Sequence, residues 1–292
     1  MDGELTVATL NLWGLSEPWT YTARRGEVRG AVPGSPATTL RVPGGAWPAR
    51  RRPLVARALA AVQPDIVGLQ EDRQDLAAAD GNSQSEQLAP DLGCSIAYVP
   101  IVGAARDHKG NAVLSRHPIG RLGAVPLPVP AEEVALYGPG VRDALHAVIE
   151  TPCGVVHLFV VHPTTRGHAA RLDETECLLA RVEERAANGT VIVVGDFNAR
   201  PDTPAIRLMA SRLRDVWATA NPGDPGYTML VHTPRTPQDS HMRVDYILVG
   251  PGPKIVRAVL LGDRPDHDGF YASDQFGVAA TLRWPAVDKG EG

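Results

Sequence analysis

The chain has 292 residues, 43% of them hydrophobic and 21% charged, and a formal net charge of −4. This is the make-up of an ordinary globular protein with a sizeable core, and it excludes a general electrostatic attraction for polyanions, which rests on many Lys and Arg contacts to phosphates. No stretch of about eighteen uncharged apolar residues is present to span a bilayer, and three scattered cysteines, Cys94, Cys153 and Cys177, fit neither a disulfide framework nor a close-spaced zinc site, so reduced, buried thiols are expected.

At the N-terminus, Met1-Asp2-Gly3-Glu4 leads straight into an apolar segment without the basic start and cleavage site of a secretory signal, so a cytoplasmic location is expected. Residues 5–12 are apolar and partly β-branched, a buried strand that stops at Asn11. Residues from about 16 to 48 are rich in Gly, Pro, Thr and Arg, lack an apolar period and read as a surface insertion. Over 50–63, Leu54, Val55, Ala58, Leu59 and Val62 make one helical stripe, with Pro53 tolerated in the first turn. The cluster Arg50-Arg51-Arg52 reads as the solvated start of that helix.

Strand-type runs follow at 66–69, 96–100, 111–115, 145–150 and 155–161. Over 168–187, Leu172, Leu179, Val182 and Ala186 share one face and charged residues the other, an amphipathic helix that Asn188-Gly189 stops. A strand at 191–194, a short helix at 203–211 and strands at 244–249, 255–261 and 276–282 complete the pattern. Many short strands with few helices point to stacked sheets covered by helices in one α/β domain, 1–285, with a tail at 286–292.

One feature recurs: an apolar strand stops and at once presents a polar residue, as at Asn11, Glu71, His162, Asp196 with Asn198, Asp245 and Asp274. Strand ends fix positions, so such residues can converge on one cleft. The segments are Thr9-Leu10-Asn11-Leu12-Trp13, Gly68-Leu69-Gln70-Glu71, Gly110-Asn111-Ala112-Val113-Leu114-Ser115, Val161-His162, Gly195-Asp196-Phe197-Asn198-Ala199, Arg243-Val244-Asp245-Tyr246 and Ser273-Asp274-Gln275-Phe276. In kind and order, over nearly the entire chain, they resemble the DNase I-like endonuclease/exonuclease/phosphatase superfamily. The resemblance implies two packed, mostly antiparallel β-sheets flanked by helices, a four-layer sandwich, and metal-assisted hydrolysis of a phosphodiester or phosphomonoester.

The roles below are those the resemblance implies. Magnesium or manganese, which favour hard oxygen donors, would be held by Glu71 with Asn11 and Asp274 beside it. Asp196 would orient or deprotonate the attacking water, Asn198 would donate to phosphate oxygens, and His162 would stabilise the charge gathering there. Asn111 joins the phosphate contacts. Arg142 reads either as a phosphate clamp or as a surface ion pair. A carboxylate inside a strand needs a partner, and Asp245 would support a terminal His.

That His is where the chain departs from its relatives, because Gln275 stands in its place. A carboxamide donates and accepts hydrogen bonds but does not titrate near neutrality, so general acid-base help from this position is lost. The readings left open are a slowed hydrolase, a phosphate or diphosphate binder or repurposed enzyme on the same fold, and an engineered position. His267 is a candidate stand-in. The expected partner is a phosphorylated small molecule or a phosphodiester, with long nucleic acid disfavoured by the net charge of −4. The sequence leaves the oligomeric state open.

Overall fold

The computed structural model describes residues 3–13, 47–73, 82–100, 109–137, 142–229 and 241–285. One six-stranded sheet contains β1 (Gly3–Asn11), β2 (Ile66–Arg73), β3 (Ser95–Pro100), β4 (Lys109–Ser115), β11 (Lys254–Leu261) and β12 (Gly277–Trp284), in the order β11-β12-β1-β2-β4-β3. The other contains β5 (Ile119–Val125), β6 (Ala144–Thr151), β7 (Gly154–Val161), β8 (Thr190–Asp196), β9 (Arg214–Asp215) and β10 (Asp245–Val249), in the order β5-β6-β7-β8-β10-β9. Each sheet has one parallel pair, β1 with β2 and β7 with β8, and is otherwise antiparallel.

Alternation along the strands builds four layers. Val7, Ile66, Val160, Ile192, Val194 and Val278 face inward and form the core between the sheets. Their neighbours Leu10, Val67 and Leu69 face outward, under Leu54, Val55 and Leu59 of α1 (Arg52–Ala60) and Leu88 of α2 (Gln84–Leu92). On the other side Phe159, Val191 and Val193 pack beneath Leu178 and Val182 of α4 (His168–Ala186) and Met209 of α5 (Pro204–Ala210). Because both faces of the central strands are buried, they read as unbroken apolar runs. Gly68 permits the close approach of the sheets: a Cβ there would lie 2.4 Å from Val194 Cγ2. Two short helices, α3 (Ala131–Tyr137) and α6 (Val216–Ala220), complete the described elements. Among the described residues no helix is long and apolar enough to cross a membrane.

Several expectations are corrected. All three cysteines are free, but each is only partly buried. The arginine cluster is not a solvated face throughout, because Arg51 is 1% exposed, inside a π-helical turn (Trp47–Arg51) that precedes α1. Arg52 does pair at the surface, with Asp91 at 2.8 Å. Strand β5 and helices α2, α3 and α6 were not anticipated. Most of the insertion expected at 16–48 lies outside the described residues; at its end, Trp47 is buried.

Candidate active site

The two parallel pairs decide where the chemistry sits. Strands β1 and β2 end in the same direction, as do β7 and β8, and this carries Asn11, Glu71, His162 and Asp196 toward one edge of the sandwich. Antiparallel pairing then starts β10 at that edge, with Asp245 in register opposite Asp196, while Ser273-Asp274-Gln275 enters β12 beside the end of β1.

Asp196 is the centre of the arrangement, 1% exposed. Its Oδ1 accepts from the Asn198 backbone N–H at 2.8 Å. Its Oδ2 accepts from Asn11 Nδ2 at 3.1 Å and Gln275 Nε2 at 2.9 Å, and His162 Nε2 lies 3.6 Å away. Asn11 Nδ2 also reaches Glu71 Oε1 at 3.4 Å, while its Oδ1 accepts from Trp13 N–H at 2.8 Å. Asn11 therefore meets the carboxylates through its amide N–H, bridging Glu71 and Asp196, and its oxygen is engaged elsewhere.

Local backbone geometry is unusual here. Of the four described non-glycine residues with positive φ, three belong to the site: Trp13 at 54°, Glu71 at 54° and Asn198 at 49°. Glu71 occupies a register shift in the β2–β4 ladder, between Leu69 and Asp72, which takes it out of regular pairing. Gly195 supports the neighbouring turn: its φ is 152°, and a Cβ there would meet Val161 O at 2.0 Å. Such conformations persist only where surrounding packing over-determines them.

The electrostatics are those of crowded acids. Burial, followed by Glu71, pushes the Asp274 carboxyl up to about 7, with Arg51 pulling it back. Burial and the facing Asp196 hold the Asp245 carboxyl well above its usual range, against the pull of the Thr228 hydroxyl. Repulsion among Glu71, Asp196 and Asp274 is what a divalent cation would relieve, and carboxylate oxygens are the hard donors that magnesium and manganese take. Glu71 and Asp274 thus fit as its holders.

Asn111 and Arg142 stand behind this cluster. Asn111 Nδ2 donates to Asp143 O at 3.3 Å and Val160 O at 3.4 Å. Arg142 does form an ion pair, with a buried partner: its Nε donates to Glu133 at 2.7 Å and its guanidinium to His162 O at 3.2 Å. Around them lies a network that sequence reasoning missed. The Thr164 hydroxyl donates to Glu133, Thr164 N–H donates to Glu174 at 2.9 Å, and Asn198 Nδ2 donates to Pro163 O at 3.0 Å. Residues 162–166 are thereby clamped between α3 and α4. Glu174 shares the buried stripe of α4 with Leu178 and Val182, and an acid on an apolar stripe was the signal available. Arg51 gave the same signal, three positions before Leu54.

His267 does not replace the missing imidazole; it is 88% exposed and pairs with Asp268 at 3.5 Å. With Asp266 and Asp268 it forms a group whose ligand atoms lie within 4.8 Å of one another. That group has its own counter-ion in Arg50, and Asp266 is engaged by the Asp268 and Phe270 N–H groups. It borders a cleft of about 450 Å³ lined by Arg57, Val62, Leu260 and Arg264, apart from the Asp196 cluster.

The profile of the Endonuclease/Exonuclease/phosphatase family matches residues 8–275. No curated protein matches the chain. Among solved structures it is similar to the endonuclease/exonuclease/phosphatase from Beutenbergia cavernae DSM 12333, at 23% identity and a TM-score of 0.68 over 97% of this chain and 72% of that one. A family protein from Bacteroides thetaiotaomicron matches at 19% identity and a TM-score of 0.70, over 100% and 99% of the two chains. Truncated Caenorhabditis elegans TDP2 matches at 20% identity and 0.64, over 96% and 97%. At these identities the likeness shows the fold.

Proposed function

Because the chain belongs to the endonuclease/exonuclease/phosphatase family, we propose that it is a divalent-cation-dependent phosphoesterase that cleaves a phosphodiester or phosphomonoester by in-line attack of water. Proteins of this family usually hydrolyse phosphoester bonds and are generally dependent on a divalent metal. The observation that carries the reading is Asp196, buried and held by Asn11, Gln275 and the Asn198 N–H, with Glu71 hydrogen-bonded to the same Asn11.

Glu71 and Asp274 would hold magnesium or manganese, which when bound polarises a phosphoryl oxygen. Asp196 orients the water by accepting its hydrogen bond. Asn198 spends one amide hydrogen on Pro163 O and has the second for a phosphate oxygen. His162, held through its carbonyl by Arg142, meets the developing charge from the other side. Asn111 and Arg142 support this wall rather than touch the phosphate. The substrate is a phosphorylated small molecule or short phosphodiester, as the net charge of −4 disfavours long nucleic acid. One domain over 1–285 and a cytoplasmic setting, supported by three free thiols, complete the proposal.

Gln275 favours a second reading, a phosphate-binding or repurposed protein on the same fold. Turnover of bis(p-nitrophenyl) phosphate and p-nitrophenyl phosphate with Mg2+ or Mn2+ decides between them. Cleavage abolished by EDTA and restored by Mn2+ is expected; cleavage indifferent to chelator, or none with any metal, rejects hydrolysis by this site.

A further inference from the structure

Arg51 is a buried cation in the field of two acids of the site, Asp274 and Glu71. Its side chain is 1% exposed, with the guanidinium 5.3 Å from the Trp13 ring and 5.5 Å from the Trp47 ring. It donates to Leu12 O, just past Asn11, and through Nε to Ala272 O at 3.2 Å, two residues before Asp274. Leu12 N–H in turn donates to Gln70 O at 2.8 Å, next to Glu71, and the Ser273 hydroxyl donates to Asn11 O at 2.7 Å. The guanidinium therefore joins the backbone segments that carry Asn11, Glu71 and Asp274. Among the described residues the acids that act on it are Asp274 and Glu71, and although burial brings it down to about 10 it carries its charge at neutral pH.

We infer that Arg51 is a positioning residue of the cation pocket: a built-in counter-ion that spaces Glu71 and Asp274 and competes with the divalent cation for their charge. The inference rests on the reading of Glu71 and Asp274 as metal holders. A fixed positive charge here offsets the repulsion between the two acids, and it lowers the affinity for any incoming cation. Lysine would keep the charge but lose the planar fork that reaches two carbonyls at once.

The test is Mn2+ binding to the full chain without substrate, by calorimetry, for wild type, Arg51→Met, Arg51→Gln and Arg51→Lys, with folding checked by circular dichroism. The neutral variants are expected to bind Mn2+ about tenfold more tightly, because removing one unit of like charge at this range is worth about one to two kcal/mol. Arg51→Lys should stay within about threefold of wild type, since its charge is retained. Unchanged or weaker binding by a folded neutral variant overturns the inference. Should neither neutral variant fold, Arg51→Lys decides: near-wild-type affinity supports the counter-ion role, and a tenfold or greater loss sinks it. Absence of Mn2+ binding by wild type would instead reject the metal pocket itself.

Discussion

Gln275 donates through Nε2 to Asp196 Oδ2 at 2.9 Å, while its own buried Oε1 has no hydrogen-bond partner among the described residues. The carboxamide thus holds Asp196 by a hydrogen bond and cannot supply proton exchange.

Restoring the imidazole should restore that exchange. Gln275→His is expected to raise kcat on a generic phosphodiester by about ten- to a hundredfold, the lower part of the range for general acid-base help. Its pH–rate profile should gain a limb from the new imidazole beside that of Asp274, which burial brings up to about 7. An unchanged rate would mean that the pocket has been turned to other chemistry.

The acids divide by what they do. With Asp196 orienting water as proposed, Asp196→Asn should lower kcat about a hundredfold or more while leaving Mn2+ binding within a few-fold. Glu71→Gln should instead raise the Mn2+ concentration needed for half-maximal rate at least tenfold, as a carboxylate ligand is replaced by a neutral one. Metal titrations of the two variants check the split, and identical behaviour would refute it.

Glu174 sets a pH dependence of stability. Burial pushes its carboxyl from 4.5 up to about 7, against the pull of Thr164 N–H. Between those values the folded chain holds a proton that the unfolded chain has released, so stability falls as pH rises through the window and the penalty is complete above it. Glu174→Gln, which still accepts from Thr164, should be neutral near pH 4.5 and stabilising at pH 8, by on the order of 1–3 kcal/mol. Thermal melts at the two pH values test this; an equal change at both would contradict it.

The pair His146 and His157 acts with the opposite sign. Their nitrogens lie 3.1 Å apart on the second sheet, and burial, then His157, brings His146 from 6.5 down to about 4. Here the unfolded chain takes up the proton first, so stability is full above about 6.5 and is lost as pH falls toward 4. His146→Gln should reduce the loss of Tm between pH 7 and pH 5 by several degrees. An undiminished loss would assign the acid sensitivity elsewhere.

Much of this molecule is written in its apolar runs, for identifiable reasons. Strands β1, β7 and β8 are buried on both faces, so their sequences are continuous and end sharply at Asn11, His162 and Asp196. Strand β5 escaped notice because it is an edge strand with an exposed, irregular pattern over IGRLGAV. Helix α2 carries Pro90 inside it, which masked the signal of a capping box between Ser83 and Glu86. At the candidate site, the convergence of Asn11, Glu71, Asp196 and Asp274 was legible because each lies at or near the end of a strand. What was not legible is charge placed by tertiary packing: Arg51 looked like one of three surface arginines, and Arg142 could not reveal that Glu133 faces it. Neither partnership leaves a local period.

Asp196 is gripped by Asn11 from one end of the chain and by Gln275 from the other, with 185 residues separating it from the first and 79 from the second. No nascent fragment can therefore carry an assembled reaction centre. Strand β12, which seats between β1 and β11, is the last described element to leave the ribosome. The hydrogen-bonded cluster around Asp196 should consequently assemble only after Gln275 has been made, and a product truncated before that residue should lack it.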